Sequence, residues 1–339
     1  MSADAFRESV SRAIDRADLD RLVGLVDRLC GVGDWEGLVF LRDRARAALE
    51  RGLQLWPAAE YAEYRLALEA PGSFAGPLVL EGAGRFALGP LWEVAASSHS
   101  WGDLREHVPP GPARSLAAHE RVVRGEDLTA DATIDRGVLE IPLVLQEWEP
   151  RYPVAVFHPD RADFPSPPPP LLHPRLLPPA GPTLEDDETA EALLGLVGPW
   201  FEQSNGRAEV ALVEGGTGEA IAALGHSRVP AADVDGPTAL AWMAWAAASG
   251  GAYARRRGTA AGRLAAWWTT AVVTGLEWPT SPEALGEAAA AVRWVAWQPS
   301  DFAAGWGLHL AGELPGEGLG FAIAAADSRR EEQEQGQQE

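Results

Sequence analysis

From Phe164 to Pro182 the chain reads FPSPPPPLLHPRLLPPAGP. Proline fixes φ at roughly −65° and offers no backbone N–H. A stretch this rich in it cannot lie inside a helix or pair as a central strand, and reads as a semi-rigid polyproline-type connection. It divides the 339 residues. The expected organisation is a mainly helical domain over 1–163 that ends in short strands, a Pro-rich linker over 164–183, an α+β Trp-rich domain over 184–328, and a disordered acidic tail over 329–339. The linker is either a spacer or a docking peptide for a proline-binding module.

Upstream of the prolines, apolar residues recur at helical spacing: Phe6, Val10, Ile14 and Ala17, then Leu19, Leu22, Val23, Val26, Leu29 and Cys30. Gly31 and Gly33 break the pattern, and Asp34 is placed to cap a helix whose inner face is Leu38, Leu41, Ala45, Ala48 and Leu49. Pro57 suits the first turn of a further helix through Ala67. Such short connections predict a small bundle or a short helical scaffold. A short strand is expected at Leu78–Leu80, helices over about Leu91–Val123 with a break at Pro109–Pro112, an edge or interrupted strand over Val138–Glu149, and another in PVAVFH.

Downstream, the reading is mixed. Leu184–Glu202 predicts a helix, AEVALVE a strand, and GGTGEAIAALG a turn into a helix. Two apolar helices, PTALAWMAWAAA and GRLAAWWTTAVVTG, flank a cluster of arginines, and Pro282–Ala290 predicts another. VRWVAWQP, GWGLHLAGEL and GLGFAIAAA look like an antiparallel meander with Gly/Pro turns. The fold class expected is α+β: a helical N-terminal domain, then a mixed C-terminal domain with a short meander. Nine of the 14 tryptophans lie from Trp200 onward, which predicts a large aromatic core there.

Composition removes several chemistries. There is no lysine; all 28 basic residues are arginine. A Walker A loop, a lysine Schiff base and the usual kinase constellation are thereby excluded. The lone cysteine, Cys30, excludes an intrachain disulfide and a Cys-based zinc site. No apolar run is long enough to span a bilayer, and the polar, acidic opening predicts no secretory signal. The expected location is therefore cytoplasmic. A formal net charge of −21 argues against general nucleic-acid binding.

Against that acidity stands GGAYARRRGTAAGR, Gly250–Arg263, which carries Arg255, Arg256, Arg257 and Arg263. Gly250 and Gly251 are expected to end one helix, and the next is expected to begin near Arg255. Three cations in a first turn would oppose the helix dipole, so an acidic counterpart is expected close by. It is either the protein itself, an anionic small molecule held at these four arginines as ligand-binding residues, or an acidic protein or RNA. Gly258 and Gly262 have the spacing of a close helix-packing seam.

Other motifs say less. VEGGTGEA fails the dinucleotide fingerprint because Ile221 holds its third glycine position. His99, His107, His119, His158, His173, His226 and His309 show no metal-ligand spacing, and no metal or cofactor is expected. Ser97, Ser98 and His99 are adjacent, but adjacency does not define a nucleophile–base pair. Trp242/Trp245, Trp267/Trp268 and Trp294/Trp297 are expected in the core, the alternative being the wall of a pocket. The best reading is a non-enzymatic interaction or scaffold protein; the alternative is a small-molecule enzyme or binder with an arginine-lined anion site in the C-terminal domain.

WPAAEYAEYRLALEAPG, GAGRFALGPLWEVAASSHSW and WAAASGGAYARRRGTAAGR resemble segments of an uncharacterised protein family of high-GC actinobacteria. The resemblance spans most of the chain. It implies a bacterial cytoplasmic setting and no particular activity or site.

Overall fold

The computed structural model describes residues 3–300, 302 and 304–329; the side chains of residues 3–5 are not described. The expected tail over 329–339 lies, beyond Arg329, outside the described residues. Two compact units result. Unit 1 comprises Met1–Val138 and Ala155–Phe164, and unit 2 comprises Leu139–Val154 and Pro165–Glu339.

Unit 1 is helical: α1 (Ala3–Asp15), α2 (Leu19–Val32), α3 (Trp35–Ala47), α4 (Trp56–Glu69), α5 (Gly72–Ala75), α6 (Leu91–Ser98), α7 (Trp101–Leu104) and α8 (Pro112–Val123). A two-residue antiparallel pair, β1 (Val156–Phe157) with β2 (Ala162–Asp163), follows in this unit. The boundaries have local causes. Asp18 accepts from Arg21 N at 3.0 Å to start α2, and Asp34 accepts from Gly37 N at 2.9 Å to start α3. Each such cap is worth about 1 kcal/mol. Gly33, at φ 69°, ends α2 in the left-handed region. The helix at the centre is α4, which packs against α2, α3 and α6 and is buried from Ala62 to Leu68. Its charged residues are paired there: Arg65 with Glu69 at 2.6 Å, and Glu63 with Arg46 at 2.8 Å. The strand expected at Leu78–Leu80 is instead a 3-10 turn over Gly76–Leu78, in which Pro77 has no N–H to give a neighbour.

Unit 2 is built on a six-stranded antiparallel sheet. Its strands are β3 (His173–Leu176), β4 (Arg207–Glu214), β5 (Arg228–Val234), β6 (Arg293–Trp297), β7 (Trp306–Leu314) and β8 (Leu319–Asp327), in spatial order β3-β5-β6-β7-β8-β4. The expected meander is β6-β7-β8. The remaining helices are α9 (Asp187–Gly195), α10 (Gly198–Glu202), α11 (Thr217–Ala223), α12 (Gly236–Ala248), α13 (Thr259–Val273) and α14 (Pro282–Ala291). Side chains alternate between sheet faces. Val295, Trp297, Ala311 and Ala322 therefore share one face, packed against Ala220 and Ile221 of α11. On the other face Trp306 stacks on Trp245 of α12 at 5.2 Å, and Trp294 meets Phe321 at 5.6 Å.

Part of the proline stretch belongs to this sheet. β3 is an edge strand, and its Pro174 lies opposite Pro230 of β5, so two residues without N–H groups face each other. The strand expected over Val138–Glu149 is absent: the segment runs as turns and bends. Leu139, Ile141 and Leu143 do alternate into the core. Glu140, however, takes φ 57°, and Pro142 lacks an N–H, so no ladder forms. The alternation recorded burial, not pairing.

Candidate functional site

Gly250–Gly258 joins α12 to α13, and its backbone is fixed at several points. Gly251 N donates to Ser249 Oγ at 3.0 Å, Ala252 N to Asp327 Oδ2 at 2.7 Å, and Ala254 N to Gly250 O at 3.0 Å. Arg257 N and Gly258 N both turn back to Ala248 O at the end of α12, at 2.8 and 3.3 Å. Ser249 Oγ also accepts from the buried Trp200 Nε1 at 3.1 Å. Gly250 is required, because a Cβ there would collide with the backbone of Ala254 and Arg255. Gly251 sits at φ 64°, with Asp327 packed against its Cα.

This geometry corrects the expected helix start. Gly258, at φ 94°, is the N-cap, and α13 begins at Thr259. Arg255, Arg256 and Arg257 lie in the loop before the helix, so they do not occupy its first turn. The return of the loop to Ala248 O sets this boundary, and a sequence pattern does not carry it. Arg255 and Arg257 are exposed, as is Tyr253 at 56%. Arg256 donates to Thr259 Oγ1 at 3.1 Å, and Arg257 Nη1 to Gly195 O at 3.4 Å. The desolvation of Arg257 lowers its pKa from the ordinary value, with the Glu202 charge opposing.

Arg263 has a different environment. It lies one turn into α13 with no solvent exposure, and pairs at 2.6 Å with Glu149, whose side chain is also wholly buried. Nε donates to Glu149 Oε2 at 2.7 Å, Nη1 to Pro142 O at 2.8 Å, and Nη2 to Val144 O at 3.1 Å. Four of the five guanidinium N–H groups are thus used within unit 2. Glu149 also accepts from Tyr152 Oη at 2.7 Å, Trp267 Nε1 at 2.9 Å and Gln146 N at 3.0 Å. Burial and the neighbouring Glu149 charge drive the Tyr152 phenol well above its usual range. This is the clamp that holds the irregular 139–154 segment on α13. Arg263 is therefore separated from the three loop arginines. Gly262 beside it allows α13 to touch α12, since a Cβ there would strike Ala244 O and Ala248.

The tryptophans mostly serve the core: Trp245, Trp267, Trp294 and Trp297 are buried. The histidines scatter. His119 is wholly buried on α8 beside Glu120, which pairs with Arg124 at 2.9 Å. His158 meets Asp163 at 3.0 Å, and His173 is exposed on β3. His99 and His107 line an open recess of about 680 Å³ in unit 1, together with Ser98 and Asp103. There His99 Nε2 lies 2.6 Å from Ala70 O, and Nδ1 lies 2.9 Å from Ser98 Oγ. Ser98 Oγ in turn donates to Leu68 O at 2.6 Å. Desolvation lowers the His99 pKa, against the raising effect of Asp103. Among the described residues, no group of three or more His, Cys, Asp or Glu is placed to hold a metal ion. Among the described residues, no helix is long and apolar enough to cross a membrane.

Sequence reasoning missed Glu149, Tyr152 and Asp327. Glu149 lies 114 residues from Arg263, and no spacing rule links them. The architecture is a helical unit followed by an α+β unit with an antiparallel six-stranded sheet. Residues 4–329 match the model of a family of unknown function, DUF6183, and the chain belongs to that family. No curated protein and no solved structure matches it.

Proposed function

We propose that the chain is a cytoplasmic, non-enzymatic interaction protein, and that the Gly250–Gly258 loop is the contact it offers to an acidic protein partner. One observation supports this reading above others: the loop's backbone is pinned by Ser249, Asp327 and Ala248, while Tyr253, Arg255 and Arg257 remain exposed on it. A fixed loop loses little conformational entropy on binding, and Tyr and Arg are residue types that dominate binding energy at interfaces. The strongly negative charge of the chain favours use of this cationic loop as a local exception, directing an acidic partner to one place.

The test is fluorescence anisotropy of a labelled acidic peptide, a Glu-rich 20-mer, against the wild-type chain and Arg255→Gln/Arg257→Gln. The reading expects binding to the wild type and weaker binding to the variant. Equal binding by both, or no binding by either, rejects it.

A further inference from the structure

The part of the proline stretch that precedes β3 forms a second surface. Five of the eight residues from Pro165 to Leu172 are proline, and none is charged. Each proline ring holds its own φ near roughly −65° and pushes the residue before it into the extended region of ψ. Pro167, Pro168 and Pro169 are under both constraints, since each is followed by another proline. Their backbone is therefore a polyproline II helix, with about three residues per turn. The burial follows that period. Pro167 is buried and Pro170 half-buried, whereas Pro165, Pro168 and Leu171 are exposed, as are Ser166 and Pro169. One edge of the helix is thus turned inward, and two ridges face out. Leu171 is 78% exposed, as high as any large hydrophobic residue among those described.

The same chemistry selects what can cover these ridges. A strand of another chain cannot, because the prolines give a ladder no N–H. A nucleic acid or a lipid headgroup finds no charge to pair with. The flanking charges are already engaged: Asp163 meets His158 at 3.0 Å, and Arg175 meets Asp233 at 3.2 Å. What fits is a groove lined with flat aromatic rings, into which the ridges of a polyproline helix pack. Such a groove also brings N–H and O–H donors, and among the described residues no hydrogen bond ends on the backbone carbonyls of residues 165–172. The helix is formed before binding, so ordering it costs little. Leu171 continues the ridge of Pro165 and Pro168 one turn on, about 9 Å along the axis, and offers the groove a longer apolar side chain than proline.

We propose that Pro165–Leu172 is a docking ridge for a protein domain whose aromatic groove reads polyproline helices. This contact uses none of the loop arginines. The experiment is fluorescence anisotropy of labelled SH3, WW and EVH1 domains titrated with the full chain, with decaproline as competitor. Two variants accompany the wild type: Pro168→Ala/Leu171→Ala on the ridge, and Leu176→Ala, an equally exposed leucine off it. Far-UV circular dichroism confirms that both are folded. At least one domain should bind the wild type more tightly than about 1 mM, and decaproline should displace it. The ridge variant should weaken that binding at least about tenfold through lost apolar contact, and Leu176→Ala should leave it unchanged. The proposal is overturned if no domain of the panel binds more tightly than about 1 mM, or if decaproline does not compete. It is equally overturned if the ridge variant binds like the wild type, or if Leu176→Ala loses as much as the ridge variant.

Discussion

Replacing Arg263 with methionine tests the clamp in unit 2. The change removes the cation and keeps most of the volume. Glu149 is left with Tyr152, Trp267 and Gln146 as donors but no counter-charge, and the carbonyls of Pro142 and Val144 lose their partner. Removing one member of a buried ion pair costs about 3–5 kcal/mol. For a unit of this size each kcal/mol shifts Tm by roughly 2–4 °C, so the melting of unit 2 should fall by roughly 6–20 °C. Calorimetry measures the loss, and hydrogen exchange over 139–154 reports whether that segment loosens. A loss below about 1 kcal/mol refutes the clamp.

Three further outcomes follow from the geometry. Asp327→Ala removes the acceptor of Ala252 N, leaving a half-buried donor unsatisfied at a cost of about 1–3 kcal/mol, and amide exchange at Gly251 and Ala252 should accelerate. Gly262→Ala should destabilise unit 2 by about 1–3 kcal/mol, because the new methyl meets Ala244 O and Ala248; unchanged urea midpoints would contradict the close crossing. His99 has a lowered folded-state pKa, with Asp103 and Arg121 as the nearby charges, so the unfolded chain binds the extra proton. Its contribution to the stability of unit 1 should therefore decline as pH falls below about 6.5, and His99→Gln should flatten that slope in urea titrations.

The helical caps were legible because they are local. Asp34 with Gly37, and Gly33 past α2, act within a few residues, and the β6-β7-β8 meander shows its alternation between Gly/Pro turns. What escaped depends on distance. β3 and β5 contain prolines that argue against strands taken singly, yet Pro174 and Pro230 are tolerated because they face each other. Val138–Glu149 has a strand-like pattern, but its partner is the side chain of Arg263, not a neighbouring backbone. The candidate site was only half visible. Arg255, Arg256 and Arg257 stand out in the sequence, whereas the separation of Arg263 from them and the anchoring of their loop by Asp327 arise from contacts 75 to 121 residues apart.

In the proposed function, a pinned loop presents cations to an acidic partner. A salt titration of acidic-peptide binding, wild type against Arg255→Gln/Arg257→Gln, tests it most directly. Wild-type affinity should fall steadily as ionic strength rises through about 0.15 M, where the screening length is about 8 Å, and the variant should bind weakly throughout. Wild-type binding that is indifferent to salt, or a variant that follows the wild-type curve, contradicts the account.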